Sequence, residues 1–252
     1  TEIYTLSLHD ALPIWLIYNN ENATIDKIEG LFIDNSGYAV NNSGIIKSIL
    51  ADFINGSGIS NNYGVITNIV GSFINSNINN RKGINGGGTI NNIVGDFIGS
   101  NINNEGGTID KIEGTFTNSR NRAIDNRYDS YHDQAALIKL ILADFIANQG
   151  GGISNIYGGI TDIIGSFIGN GGTSDYGGAI YNDGLLTIND NLKRTSYIGN
   201  ITGTFLNNHV QYKGGAIYNT GKIDSITNSH FQNNYAESYN GDVYEIGRAS
   251  CR

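Results

Sequence analysis

The sequence predicts an all-β fold, a single parallel β-helix in which short strands coil into about nine stacked rungs. Three observations predict it: an eight-residue phrase that recurs along the chain, a spacing between copies that centres on the low twenties, and segments rich in Ile, Gly, Asn and Thr. Repeats with a period of about 20 to 50 residues are typical of solenoids, in which each repeat packs on its neighbours.

The recurring phrase is Ile-x-x-Ile-x-Gly-x-Phe, and its clearest copy is residues 160–167. Eight copies keep one frame with Gly or Ala two residues before the Phe, and a ninth carries one extra residue and lacks the small residue. The anchors of the nine copies are Phe32, Phe53, Phe73, Phe97, Phe116, Phe145, Phe167, Phe205 and Phe231. We expect each copy to supply one rung.

A second phrase, Gly-Ala-Ile-Tyr-Asn, lies between anchors at residues 178–182 and 215–219. Weaker copies, which keep Gly-Ile-Ser-Asn, occupy residues 58–61 and 152–155. One rung therefore contains several short apolar pieces separated by Gly and Asn.

A helical alternative fails because Gly costs about 1 kcal/mol in a helix interior and β-branched residues and Asn are mediocre helix formers. The one stretch with helical character, residues 135–147, is placed by the repeat. Residues 138–145 differ from residues 46–53 only by Leu140 in place of Ser48. The repeat register therefore predicts a strand there too.

Within the phrase, alternate residues share one face of a strand, so the second Ile, the small residue and Phe should point inward. The three-residue gap between the two Ile and the apolar residue after Phe break this alternation and require bends. Gly and Asn supply bends because both tolerate left-handed backbone. Stacking at about 4.8 Å places each Ile and Phe over its copy, and inward or corner Asn can form hydrogen-bonded ladders.

The chain also contains a longer duplication. Residues 24–30 and 108–114 are the same seven residues, Thr-Ile-Asp-Lys-Ile-Glu-Gly, and residues 59–74 resemble residues 153–168. Each early rung thus matches the rung four further along.

The two ends do not belong to the repeat. Residues 1–14 match the in-frame translation of a common sequencing adapter, and residues 245–252 match the complementary adapter. We therefore expect 1–15 and 245–252 to be non-native and 16–244 to be one β-helix domain, an internal, uncapped fragment of a longer gene. Without the charged residues of the ends the formal charge changes from −8 to −7; these residues are Glu2, Asp10, Glu245, Arg248 and Arg252. An acidic rod has no electrostatic reason to bind nucleic acid.

Two rungs carry insertions between the second phrase and the next Ile-x-x-Ile, at about residues 126–136 and 183–196. We expect both to leave the same corner of neighbouring rungs, where insertions often form the binding surface of a solenoid. Aromatic and acidic groups together would suit sugar stacking or a weak cation site; the alternative is that both are solvated loops without a ligand. The candidate contact residues are Tyr128, Asp129, Tyr131, His132, Asp133, Lys193 and Arg194.

Catalysis is the less favoured interpretation. A β-helix hydrolase or lyase needs paired carboxylates or an acidic metal cluster beside a base. Asp129 and Asp133 form such a pair only if their loop folds favourably, and His132 is expected to be an exposed loop histidine. The Gly-rich runs lack the Lys-Ser/Thr of a phosphate-binding loop. We predict no catalytic residue, metal or cofactor.

The Gly-Gly-Ala-Ile of residues 177–180 and 214–217, together with the Phe-x-x-Asn of residues 205–208 and 231–234, resembles the polymorphic outer membrane protein repeats of autotransporter passengers. The resemblance implies a right-handed β-helix passenger, secreted or held at the bacterial cell surface by a C-terminal membrane barrel outside this sequence. It also implies an adhesive role toward a glycan or protein of a host or neighbouring cell. Most earlier rungs depart from the pattern, since Phe53, Phe73, Phe97 and Phe116 lack the Asn three residues on. The alternative is a fragment of a polysaccharide-degrading β-helix enzyme.

Overall fold

The protein is described by a computed structural model that covers residues 16–83, 86–172, 176–188, 192–238 and 243–245. These residues form a parallel β-helix, as the repeat predicts, and no helix occurs among them. Apart from Glu245, the ends assigned to adapter DNA, 1–15 and 246–252, lie outside the described residues.

The first face of the rod is a parallel sheet made from the nine copies of the Phe phrase. Each strand pairs with the copy before and after it, in a register that places every anchor Phe opposite the next. The strands are β2 (Thr24–Ile33), β4 (Ile45–Asn62), β5 (Val65–Arg81), β6 (Thr89–Ile98), β8 (Thr108–Thr117), β10 (Leu137–Ile146), β12 (Gly159–Ile168), β16 (Tyr197–Leu206), and β19 (Lys222–Ile226) with β20 (His230–Gln232).

The second face is a parallel sheet made from the second phrase. It contains the final residues of β4 and β5 together with β1 (Ile17–Asn19), β3 (Val40–Asn42), β7 (Ile102–Glu105), β9 (Ile124–Arg127), β11 (Ile153–Ile156), β13 (Ile180–Asp183), β18 (Ile217–Asn219) and β22 (Val243–Glu245). Outside the two faces lie an antiparallel hairpin, β14 (Leu185–Ile188) with β15 (Leu192–Thr195), and a short parallel pair, β17 (His209–Val210) with β21 (Tyr235–Ala236).

The core is a column of stacked side chains. Consecutive anchor Phe rings lie 4.4 to 5.1 Å apart between centroids and are within 12° of parallel. From Phe53 to Phe205 the anchors are almost fully buried, as are the two Ile of each of those phrases. Each such side chain contributes roughly 1.5–3 kcal/mol through burial of apolar surface. The predicted inward direction of Ile and Phe is therefore confirmed.

The predicted bends occur where the alternation breaks. Between the two Ile of every phrase, the residue after the first Ile is left out of the pairing register. A second bend follows the anchor, because the residue two positions after every Phe has a positive φ of 49° to 64°. Asp or Asn occupies this corner in six copies and Gly in two, and Ala147 fills it in one.

The small residue before the anchor allows the rungs to approach closely. Ala51 and Ala143 at this position are buried, each only 5% exposed. At Gly95 a Cβ atom would lie 2.0 Å from the carbonyl oxygen of Gly71 in the preceding rung. This position therefore has little room for a larger side chain.

Two columns of buried polar side chains join the rungs along the axis. The first is a ladder of nine Asn, each of which donates from Nδ2 to Oδ1 of the next at 2.7 to 2.8 Å; its members are Asn19, Asn42, Asn61, Asn80, Asn104, Asn126, Asn155, Asn182 and Asn219. The second links Asn148, Asn170, Asn208 and Asn234 at 2.9 to 3.0 Å. Buried amides matched in this way avoid the cost of unpaired polar groups.

Candidate functional site

The first insertion, after β9, folds into a compact loop held by Asp129. Asp129 is 2% exposed. Its Oδ2 lies 2.6 Å from Nδ1 of His132, and its Oδ1 accepts hydrogen bonds from the backbone N–H groups of Tyr131 at 2.8 Å and His132 at 3.2 Å. The backbones of Asp129 and Gln134 bond reciprocally and close the loop. Asp129 therefore holds the loop together from inside.

His132 is held between aromatic rings. The edge of Tyr63, from an earlier rung, lies against it with centroids 5.8 Å apart, and the ring of Tyr131 lies 4.7 Å away. The His132 side chain is only 10% exposed, so the expectation of an exposed loop histidine is wrong. Burial is favoured because the imidazole has both a carboxylate partner and two rings to pack against.

Of the other candidate contact residues in this insertion, two bond to each other within the loop and one faces solvent. The hydroxyl of Tyr128 donates to the carboxylate of Asp133, which sits at a positive φ of 55°. Tyr131 is 87% exposed and is the residue of this loop most available to a partner.

The electrostatics of the loop favour an ionised Asp129. Burial alone would raise the pKa of the Asp129 carboxyl, but the hydrogen bonds from His132 and from the two backbone amides outweigh burial and lower the pKa below its ordinary value. Nearby, Arg81 pairs with Glu105 at 2.5 Å, and that bond is the main reason why the pKa of Arg81 is raised. The corner is thus a set of mutually satisfied charges.

The second insertion leaves the same corner of the solenoid, as predicted, but not from a neighbouring rung. The rung of β11 and β12 intervenes, and it closes the corner with only Tyr157 and Gly158. The insertion forms the β14–β15 hairpin, in which Lys193 pairs with Thr187 and Arg194 with Leu186 through the backbone.

A second candidate site, which the sequence analysis missed, lies on the second face. It is a cleft of about 480 Å³ that spans three consecutive rungs. Its walls include Asn101 and Asn103 from one rung, and Arg120, Asp125 and Arg127 from the next. Arg127 pairs with Asp125 Oδ2 at 2.6 Å, whereas Arg120 is exposed and has no hydrogen bond or ion pair with any described residue.

The cleft contains unpaired buried acceptors. Three buried side-chain oxygens lack a hydrogen-bond partner within the described ranges, and two of them, Oδ1 of Asn101 and Oδ1 of Asp125, belong to residues that line this cleft. Burial raises the pKa of the Asp125 carboxyl, against the opposing effects of the Arg127 charge and of a hydrogen bond from Ser154. Ser154 therefore partly satisfies the Asp125 carboxyl, and Oδ1 of Asn101 is the acceptor of this cleft that calls for an explanation, because unpaired buried acceptors are uncommon in proteins.

A cluster of four tyrosines, Tyr176, Tyr181, Tyr212 and Tyr218, adjoins the cleft. Tyr176 is central, with its ring 4.8 to 6.3 Å from the other three. Arg122 joins the cluster to the cleft. Its guanidinium lies 5.1 Å from the centroid of the Tyr181 ring and donates at 2.5 Å to the backbone carbonyls of Tyr176 and Gly177.

The cleft was missed because its residues come from separate rungs and belong to no repeated phrase. A usable signal existed in the second phrase, whose middle residue lies on the opposite side of the strand from the inward Ile and the inward Asn. Aligned by the repeat, this position forms one column along the face: Tyr18, Asn41, Ser60, Asn79, Asn103, Asp125, Ser154, Tyr181 and Tyr218. The column shows polar groups near Asp125 and aromatic groups from Tyr181 onward.

These features define a repeat solenoid that carries a polar and aromatic surface. Comparison with protein-family models, with curated proteins and with solved structures finds no match to the chain. No cluster of three or more His, Cys, Asp or Glu suited to a metal ion occurs in the described ranges. Those ranges also contain no helix of the length and apolarity needed to cross a bilayer.

Proposed function

We propose that the chain is a non-catalytic, surface-exposed segment of a bacterial autotransporter-type passenger and works by adhesive contact. The observation that carries the proposal is that both candidate catalytic acids, Asp129 and Asp133, are hydrogen-bonded within their own loop. Asp129 is buried and accepts three hydrogen bonds from its own loop, and Asp133 is engaged by Tyr128. The engagement of both carboxylates within their own loop supports a non-catalytic role, while the second face offers an extended surface for contact.

The resemblance of the Gly-Gly-Ala-Ile and Phe-x-x-Asn motifs to autotransporter passengers supports the location at the cell surface or in the secreted fraction. A long-read sequence of the gene, outward from codons 16 and 244, tests this part. A signal peptide upstream and an outer-membrane barrel downstream are the expected result. A downstream catalytic domain in place of the barrel would overturn the proposal.

Adhesion is tested with the purified chain. Fluorescently labelled protein is applied to cultured animal cells and to bacterial lawns, with and without prior removal of surface glycans and proteins. Saturable binding that one of these treatments abolishes is expected. In parallel, release of reducing ends from plant and bacterial polysaccharides is measured. Release of reducing ends by the parent chain would establish the polysaccharide-degrading alternative instead.

A further inference from the structure

We propose that the cleft on the second face binds an anionic saccharide, and that the tyrosine cluster stacks against the adjoining sugars. The inference deepens the proposed adhesive function and rests on it. It assigns the contact surface to the second face and not to the first insertion, whose two candidate carboxylates are already hydrogen-bonded within their own loop.

The charge of the cleft selects for an anion. The chain as a whole carries a formal charge of −8, yet three arginines fall within eight residues at Arg120, Arg122 and Arg127. Asp125 neutralises one of them. The remaining local charge is positive, and the exposed Arg120 has no acidic partner among the described residues. A planar guanidinium at the mouth of a cleft suits a carboxylate or sulfate, which it can bind through two parallel hydrogen bonds.

An unpaired amide oxygen in the cleft selects for a polyol. Oδ1 of Asn101 is a buried acceptor without a donor among the described residues, and the hydroxyl groups of a sugar are donors of the right kind. Asn101 is 8% exposed, and its Nδ2 is already bonded to Oδ1 of Asn103 at 3.1 Å. The missing partner is therefore a donor and not a second acceptor. Pairing this oxygen would recover the cost of leaving it unsatisfied.

The tyrosine cluster extends the site along the rod. Asp125 and Tyr181 stand in the same outward column, two rungs and roughly 10 Å apart. Arg122 fixes the cluster against the cleft by holding the backbone of Tyr176 and Gly177 and by stacking on Tyr181. Tyr212 is 42% exposed and offers an accessible ring. Aromatic faces beside polar groups give a surface that is apolar and hydrogen-bonding at once, as a sugar ring requires.

The experiment is calorimetric titration of the full chain with a galacturonic acid trimer and hexamer, a heparin-derived hexamer, and neutral cellohexaose. Binding of the galacturonate or the heparin probe, weakened by added salt, with no binding of cellohexaose, is expected. Which anionic probe binds distinguishes a carboxylate from a sulfate ligand. Equal binding of cellohexaose would overturn the inference.

Two variants and one control locate the site. Arg120→Ala is expected to lower affinity for the anionic probe at least tenfold, and Tyr212→Ala to weaken the hexamer more than the trimer. The control Lys47→Ala removes an exposed cation from the first face and should leave affinity unchanged. Loss of binding in the control to the same extent would show nonspecific attraction and overturn the assignment.

The experiments distinguish an error in the saccharide site from an error in the proposed adhesive function. If the labelled chain adheres to cells but no anionic oligosaccharide binds, the adhesive function stands and the saccharide site is wrong. If neither occurs, both are wrong. Circular dichroism of each variant confirms that the fold is intact before affinities are compared.

Discussion

Single buried amides connect one rung to the next, and Asn104 shows how. It is fully buried, accepts from Asn80, and donates to Oδ1 of Asn126 at 2.8 Å and to the carbonyl of Gly107 at 2.9 Å. Because Asn80 and Asn126 are also buried, each rung can stack on the next only if these amides are paired.

Asn104→Ala should therefore lower the free energy of unfolding by about 1–3 kcal/mol for each buried partner left unpaired. Asn200→Ala is the matched control. Asn200 also bonds to neighbouring rungs, through Asp162 and Ser225, but it is exposed to water that can replace those bonds. Its loss should cost less than about 0.5 kcal/mol. Urea denaturation measures both, and equal losses would contradict the importance of the ladder.

Ala147 is the one residue in the corner that follows the anchor Phe whose side chain is unsuited to its backbone. It has a φ of 54°, where the other copies of this corner use Asp, Asn or Gly. Left-handed backbone costs an ordinary L residue about 1–2 kcal/mol. Ala147→Gly should raise the melting temperature. The control Ala123→Gly, at a buried position without positive φ, should lower it. A decrease in both would refute the strain argument.

The lowered pKa of Asp129 predicts that the stability of the folded chain depends on pH. Its pKa is lower in the folded protein than its ordinary value of 3.8, so its contribution is present above that pH and is lost as the pH falls through the folded pKa. Asp129→Asn should be less stable than the parent chain at pH 7, and the difference should shrink below about pH 4. Thermal unfolding of both proteins from pH 7 to pH 2 provides the comparison; a constant gap would exclude this role.

At the scale of elements, each corner of a rung is closed independently. The corner that the first insertion occupies is closed in the next rung by Tyr157 and Gly158 alone, and the flanking strands β10 and β12 keep the same register. The insertion is therefore an addition to the fold and not a part of its core.

Deletion of residues 129–135, which leaves Tyr128 and Ala136 at the corner, should preserve the β-sheet circular dichroism and cooperative unfolding. Some stability will be lost with the contact between His132 and Tyr63. By contrast, deletion of Leu142 alone should be more damaging, because a one-residue slip inside β10 moves Phe145 out of the Phe column. If the seven-residue deletion unfolds the chain and the single deletion does not, the insertion is structural.

The sequence predicts the elements well and the sites poorly, for different physical reasons. The anchor positions could be predicted because the rungs stack in register. Each anchor Phe therefore has the same surroundings, and the same surroundings favour the same residue. Three of the four early copies without Asn three residues after the anchor carry a smaller polar residue, Ser, at that position, and the fourth has Gly56. Ser76, Ser100 and Ser119 occupy the position of Asn148, are buried, and bond to backbone or side chains of adjacent rungs. The cleft had no such repetition to reveal it, and the burial of His132 depends on Tyr63, which is 69 residues away in the sequence.

At the scale of the whole molecule, stability is distributed along a stack in which a rung contacts only its neighbours. The central strand β8 pairs with β6 and β10, and its Ile109, Ile112 and Phe116 are fully buried. Strand β19 pairs only with β16 among the described strands, and its apolar residues are partly exposed.

Hydrogen exchange should therefore vary along the rod. We expect the amides of Thr108–Thr117 to exchange much more slowly than those of Lys222–Ile226, because opening β8 disrupts two interfaces and opening β19 disrupts one. Mass spectrometry of proteolytic peptides after timed exchange gives both rates. Uniform protection of the two segments would show that the solenoid opens as one cooperative unit.

The Asn ladder also gives the rod a direction. Every amide from Asn19 to Asn182 donates to the next ladder Asn in the same direction, so the side-chain dipoles add instead of cancelling. The ladder therefore has a polarity, with its first acceptor oxygen on Asn19 and its last donor N–H on Asn219. An Asn side chain turned the other way inside the ladder would face one neighbour oxygen to oxygen and the other N–H to N–H, so the ladder fixes the orientation of every amide within it.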